Sequence, residues 1–416
     1  MSKQRIQLSD HFTYPRLLRF VLPCIGTMLF TSIYGIVDGL CVSNFVGKTA
    51  FAAVNLIMPL PMLLGTIGFM LGTGGSAIVG ITLGEGDQKK ADRYFTLFLL
   101  AALVSVSVLA VLGIVFLRPI AVLLGAKGEL LDYAVRYGRI LMVSLPTFAL
   151  QNMFQSFFVT AEKPHLGFWF TVGAGCTNMV LDVLMVGIWG WGVEGAAIAT
   201  FISQLVGGVL PVFYFIDRSN SSRLHLCKTS FYSKVLRDAC INGSSELMTN
   251  LSMSLVNILY NYQLLRLAGE NGVAAYGVIM YAAFLFVAVF VGYAVGSAPI
   301  VSFHYGARNH AEVHNLYRKS LRLIAVVAVT LTLASMFIIP CVARIFVGYD
   351  AELLALTSRA FRLYALSFLI MGFNVYASSF FTALGDGVTS ALISFLRTLA
   401  FQVIAILLLP MLLGID

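Results

Sequence analysis

The chain has 416 residues, of which 59% are hydrophobic and 11% charged, whereas an ordinary soluble domain carries about 25% charged residues. A water-soluble core stops growing at roughly 250–300 residues, so this composition excludes a soluble globular protein and makes lipid the solvent. The net charge of +8 has no dense basic stretch beside exposed aromatics, which excludes nucleic acid as a partner and leaves the positive-inside bias of a membrane protein.

In chain order, the first twenty residues, MSKQRIQLSDHFTYPRLLRF, are polar and basic. No small-residue cleavage site follows, so the apolar stretch after them is a retained first span and not a signal peptide. Apolar stretches long enough to cross a bilayer fall at 17–43, 50–82, 94–117, 133–159, 166–188 and 193–215. After the polar connection Asp217–Arg237 they resume at 235–263, 273–304, 318–343, 358–383 and 388–412. The fold class expected is therefore an all-α integral membrane protein without sheet, because only helices and closed barrels satisfy the backbone in lipid. The expected organisation is an N-terminal segment 1–16, a first lobe 17–216, a linker 217–234 and a second lobe 235–416.

Placing the N-terminus in the cytoplasm puts most of the 27 Lys and Arg residues on that side, among them Lys3, Arg5, Lys89, Lys90, Arg93, Arg223, Lys228 and Arg397. The expected location is thus the cell membrane, multi-pass, with a cytoplasmic N-terminus. Laid on itself at an offset of 222, the chain matches without gaps across spans two and eight. Ala52, Ala53, Gly74, Ile78, Val79 and Gly84 fall on Ala274, Ala275, Gly296, Ile300, Val301 and Gly306. Small residues of this kind let helix backbones approach closely in a bilayer. An even number of spans per repeat makes the halves parallel repeats about an axis along the membrane normal, two pseudo-symmetric lobes with the substrate path between them. In the first half, span five leads through Gly192-Val193-Glu194-Gly195 into span six; in the second half the equivalent point is Gly414-Ile415-Asp416. The expectation is six spans plus five, with a twelfth helix missing.

Charges inside spans are costly and mark ion or substrate pathways. Asp38 lies about 28 Å along span one from Arg19 and Asp182 about 24 Å along span five from Leu166, at 1.5 Å per residue, so both carboxylates reach similar depth. Asn178 is one turn before Asp182 on the same face. Two carboxylates with an amide oxygen suit a proton or a hard monovalent cation; no metal other than Na+ at Asp38, Asn178 and Asp182, and no organic cofactor, is expected. The repeat aligns Asp38 with Tyr260 and Asp182 with the region of Ile404 and Ala405, so the helical frame itself does not require these acids. Glu246, in the inner half of span seven, is a second candidate for protonation or for recognising a cation. Gln151, Asn152 and Gln155 make a polar stripe on span four that either extends the ion site, faces substrate or joins helices.

The remaining motifs point away from enzymatic chemistry. Thr73-Gly74-Gly75-Ser76 has no following Lys and is not a phosphate loop. His304, His310 and His314 fall at helix ends, and the six cysteines are scattered packing residues. No Ser/His/Asp or Cys/His set is present. Arg136, Arg139, Arg359 and Arg362 sit at the outer starts of spans four and ten as snorkelling anchors. The 32 Phe, 17 Tyr and 15 Met residues furnish aromatic and thioether surface suited to flat, greasy cations.

Several of these features together resemble the multidrug and toxic compound extrusion (MATE) family of the bacterial type, from about Pro15 to the end. They are Pro23 with Asp38-Gly39, Gly72-Thr73-Gly74-Gly75-Ser76-Ala77 followed by Gly84-Glu85-Gly86-Asp87, and Asn178-x-x-x-Asp182 leading to Gly192-Val193-Glu194-Gly195-Ala196-Ala197-Ile198-Ala199-Thr200. In the second half Gly296, Pro299 and Gly306-Ala307-Arg308-Asn309 complete the likeness. The resemblance implies two helical lobes arranged as a V, acting as a monomer that exports organic cations in exchange for Na+ or H+. It assigns Asp38, Asn178 and Asp182 to a first-lobe cation site. The chain departs from some branches in the second lobe: span ten carries Asn374 and Ser378 where those have an acid, and Glu246 sits early in span seven. A flippase for lipid-linked saccharides is the alternative, and it predicts a more cationic cavity than these acids make.

Overall fold

The structure, a computed structural model, describes residues 6–46, 48–348 and 350–413, without the side chains of 36, 38–45, 48, 51, 270, 340, 342, 345, 346, 412 and 413. The chain's last three residues, the point from which a twelfth helix is expected, lie outside them. The described residues form eleven helical rods and no strand. The first half contains α1 (Tyr14–Phe45), α2 (48–84), α3 (Gln88–Leu123), α4 (Glu129–Thr160), α5 (Pro164–Ile188) and α6 (Gly192–Ile216). The second contains α7 (233–268), α8 (Asn271–Gly306), α9 (His310–Val347), α10 (351–383) and α11 (387–413).

Eight helices among the described residues are long and apolar enough to cross a membrane, and a ninth crossing is the bent pair Ala351–Ala365 and Phe368–Ala383 in α10. The two rods that fall short, α4 and α7, are those that carry the amide stripe Gln151, Asn152, Gln155 and the charged Glu246. The chain is a multi-pass membrane protein built as two lobes.

Five of the eleven rods, α2, α5, α6, α10 and α11, are interrupted. In α2 the break falls at Met58, before Pro59 and Pro61, and in α6 at Val209, before Pro211; proline supplies no N–H to continue the ladder. The expected loop 264–272 is instead a single residue, Gly269, at φ 63° and ψ −154°, with helix on both sides. That conformation is open to glycine and strained for other residues. Two segments are π-helical, Val183–Ile188 in α5 and Leu396–Ala400 in α11.

The lobes meet closely, backbone to backbone at Gly74, Gly84 and Gly306 and backbone to side chain at Gly296. A Cβ on Gly74 of α2 would strike Ala239 and Gly243 of α7; at the repeat-equivalent Gly296 of α8 it would strike Val21 and Cys24 of α1. Gly84 and Gly306, also equivalent by the repeat, press onto Phe303 and Ile81 of the opposite helix, and Gly80 lies against Ser302. The contacts therefore join α2 to α7, α8 to α1, and α2 to α8 at the loop ends next to Glu85 and Ala307. Towards the opposite ends of α1 and α8, Gly35 and Gly277 face open space.

The N-terminal segment crosses the closed end. Leu8 and Phe12 are fully buried. The Leu8 N–H donates to Glu162 Oε1 at 2.9 Å, and the Phe12 N–H to Glu312 Oε1 at 2.9 Å. His11 Nδ1 lies 2.6 Å from Glu312 Oε2, and Lys319 Nζ donates to the Phe12 carbonyl at 2.6 Å. Glu162 follows α4 and Glu312 opens α9, so the segment touches both lobes.

The glycine seam yields a test. Gly306→Val is expected to force the helices apart at a cost of about 1–3 kcal/mol, as overpacking does elsewhere. It should raise maleimide labelling of Cys24, which lies on the same seam, in a background without the other cysteines. Labelling equal to that of the parent would mean that the seam accommodates the side chain.

Candidate functional site

Asp182 closes the α-helical part of α5 and is fully buried; Asn178, one turn earlier, is 2% exposed. The change to π geometry begins at the next residue, Val183, and such single-turn insertions recur at functional sites because they re-aim side chains and free backbone groups. Asn178 Nδ2 donates to Thr200 Oγ1 of α6 at 3.5 Å, while its Oδ1 is buried with no hydrogen-bond partner.

Helix α6 continues this polar line. Thr200, Gln204 and Gly207 share one face by their spacing. Gln204 presents a buried Oε1 without a partner, and Gly207 leaves room for Gln151 of α4 to lie against it, since a Cβ there would fall 2.7 Å from Gln151 Cδ. Sequence reasoning passed over Thr200 and Gln204 as site residues, although Thr200 ended a quoted motif and Gln204 follows it by one turn.

Asp38 belongs to α1, and its side chain lies outside those described. The helix carrying it is nonetheless placed. Gly26 of α1 faces Phe168 of α5, and Gly175 of α5 faces Phe30 and Tyr34 of α1. Carried forward, that register brings the backbone of residue 38 level with Asp182.

The predicted stripe on α4 divides. Gln151 is buried in the seam with α6, and Asn152 is buried with Nδ2 lacking a partner. Gln155 lines a small cavity with Cys24, Thr27, Met28, Phe158 and Val295, at the contact between lobes. Glu246 is in the other lobe, on α7, within electrostatic reach of Arg397. Arg397, expected among the residues of the cytoplasmic side, is here part of the π segment inside α11. Its place was visible in the sequence, ten residues into a span, but the counting of loop charges absorbed it.

Chemically, the first-lobe group combines one carboxylate with amide and hydroxyl oxygens. No cluster of three or more His, Cys, Asp or Glu side chains occurs among the described residues. Carboxylate, amide and hydroxyl oxygens in so small a number suit a proton or a monovalent hard cation better than a divalent one, which takes several charged ligands.

Comparison with known proteins follows the same division into halves. The family model described as MatE matches residues 23–184 and again 247–408. The multidrug export protein MepA of Staphylococcus saprophyticus is 21% identical over 386 residues, covering 92% of this chain and 84% of that protein. MepA of Staphylococcus aureus strain MSSA476 is 20% identical over 385 residues, with the same coverage of 92% and 84%. Among solved structures, MATE in complex with MaL6 superposes with a TM-score of 0.90 at 23% identity, covering 97% of this chain and 91% of that one. An outward-facing multidrug resistance MATE family transporter of the MOP superfamily also reaches 0.90 at 23% identity, covering 97% and 90%.

The register of α1 on α5 can be probed directly. A Cβ at Gly175 would lie 2.5 Å from the Phe30 ring, whereas at Gly173 the nearest atom is Val206 Cγ1 at 3.9 Å. Gly175→Val is expected to lower the melting temperature of the purified protein and Gly173→Val to leave it near the parent's; equal melting of the two would sink this account of the site's frame.

Proposed function

The chain belongs to the MatE family, whose members are transporters and not enzymes, and we propose that it exports amphipathic organic cations across the cell membrane in exchange for H+ or Na+. The observation that carries this reading is the buried Asp182 with Asn178 and Thr200 at the α-to-π junction of α5. Asp182 is fully buried within a span, and charges placed there are costly and mark ion or substrate pathways. The likeness to multidrug export proteins along 92% of the chain supports a drug-like cargo.

In this reading the coupling ion binds Asp182, Asn178 and Asp38 in the first lobe, with Thr200 orienting the amide. Gln151 and Gln204 extend the polar line towards the interior. The lobes are packed at one end and apart at the other, which fits a state open to the outside with the N-terminus in the cytoplasm. Substrate and ion compete by stabilising different arrangements of the lobes, since a ligand shifts an equilibrium only by its differential affinity for the two states. The partners are then the bilayer and small organic cations, and the chain works as a monomer. A flippase for lipid-linked saccharides would need a cationic cavity for pyrophosphate, and the first-lobe site is acidic.

Proteoliposomes loaded with ethidium and given an inward Na+ or H+ gradient test the proposal. Asp182→Asn is expected to slow gradient-driven efflux by roughly 5–150-fold, the range of typical coupling energies, and Thr200→Val to slow it less. Undiminished efflux by Asp182→Asn under both gradients would remove Asp182 from the mechanism.

A further inference from the structure

Glu246 and Arg397 lie deep in the second lobe, and the first-lobe mechanism uses neither. Counted along their helices, Glu246 is about 20 Å beyond Ser233 and Arg397 about 15 Å beyond Gly387. The two helices are in register at a defined crossing: a Cβ on Gly387 would fall on the Asn242 backbone, and Asn242 Nδ2 donates to the Thr382 carbonyl at 2.9 Å. From that crossing α7 and α11 run the same way, with Glu246 one turn further along α7. Arg397 is further along α11, but long helical side chains lean back towards the helix N-terminus, which returns its guanidinium towards the level of Glu246. Each is the charge that bears on the other.

The hydroxyls of α10 and α11 near this crossing bond among themselves. Ser378 Oγ lies 2.9 Å from both Ser390 Oγ and Ser394 Oγ, and Thr382 Oγ1 lies 2.7 Å from Ser390 Oγ. These hydroxyls satisfy one another, while Arg397 Nε is buried with no hydrogen-bond partner. The five-residue π segment Leu396–Ala400 carries Arg397 at the point where the regular ladder is broken.

Glu246 is half-buried within a span, and a carboxylate held there takes a proton, binds a cation or faces a fixed positive group. We propose that Arg397 is a tethered counter-cation: it holds the place beside Glu246 that an exchangeable ion would otherwise take, and so confines ion exchange to the first lobe. Arg397 is then a specificity-determining residue for the number of ions handled, not a ligand for cargo. The functional half of this proposal rests on the antiport reading; the pairing itself does not.

The test measures the melting temperature of detergent-purified protein against Na+ concentration and against pH, since a ligand that binds the folded state raises it. All variants carry Asp182→Asn to silence the first-lobe site. With that change alone, melting is expected to be insensitive to Na+ and to show no step with pH assignable to Glu246. Adding Arg397→Gln should create such a response, and adding Glu246→Gln as well should abolish it. A response already present with Asp182→Asn alone and removed by Glu246→Gln would overturn the proposal, because Glu246 would then be an ion site in its own right. No response in Asp182→Asn/Arg397→Gln would overturn it equally.

Efflux by otherwise unaltered protein gives a second reading. Glu246→Gln and Arg397→Gln are each expected to lose about tenfold in rate, and the pair together to recover to within about threefold of the parent, because removing one partner strands a buried charge and removing both does not. Losses in the singles that simply multiply in the double would overturn the pairing. A parent that moves no ethidium would fail the transport reading instead, and the melting comparison would still stand.

Discussion

Where the two lobes touch at Gly74, Gly84 and Gly306, main chain lies on main chain. At Gly74, Gly84, Gly296 and Gly306 even a methyl group would strike the opposite helix, and nearly everything else about the architecture follows from that closeness. In lipid there is no hydrophobic drive for helices to leave an apolar solvent, so association depends on close van der Waals contact, which small residues permit. The pseudo-symmetry doubles the effect, because Gly74 and Gly84 on α2 have their counterparts Gly296 and Gly306 on α8. The result is a close contact at one end, while a Cβ on Gly35 or Gly277 would meet no other atom within 4 Å. A body joined this way can rock without breaking any hydrogen bond within a helix.

That seam was largely legible in the residues. The 222-residue offset aligned Gly74 with Gly296 and Gly84 with Gly306, and these are the positions that form the contact. Span positions were legible too, because apolarity sustained over about 20 residues has few meanings. What the pattern did not carry was the interruptions. Hydropathy averages over a window, so a one-residue break such as Gly269, or a π turn at Val183, leaves no trace in it. Prolines marked some breaks, at Pro59 and Pro211, but neither π segment contains one.

The site was legible in the same uneven way. Asn178 and Asp182 share a face by their spacing alone, and the structure buries both. Thr200 was invisible as a partner because its contact crosses 22 positions of sequence between two helices. Gln151, Asn152 and Gln155 looked like one stripe, yet Gln151 lies in the seam with α6 and Gln155 lines a cavity between lobes. Periodicity fixes the face of a residue on its own helix and says little about which neighbour covers that face. Arg397 shows the same gap: a count of charges by membrane side does not tell that it sits in a π turn within α11, where a charge needs a partner at its own depth.

The two π segments tie these observations together. If the lobes were related by symmetry at the level of chemistry, the segments would fall at equivalent depths. They do not: Val183–Ile188 ends α5, whereas Leu396–Ala400 lies in the first half of α11. In each lobe the irregular turn adjoins an ionisable side chain, an acid in the first and a base in the second, and a local break is a physical means of aiming a charged group without bending the whole helix. The duplicated frame has therefore been kept where lobes pack and altered where charge is handled. On the proposed reading, the acid at the first break holds a mobile cation, and the base at the second, facing the half-buried Glu246, takes that place with a side chain. The two halves of one repeat thus have, on the proposed reading, opposite electrostatic roles within one frame, one exchanging ions and the other holding its charge fixed.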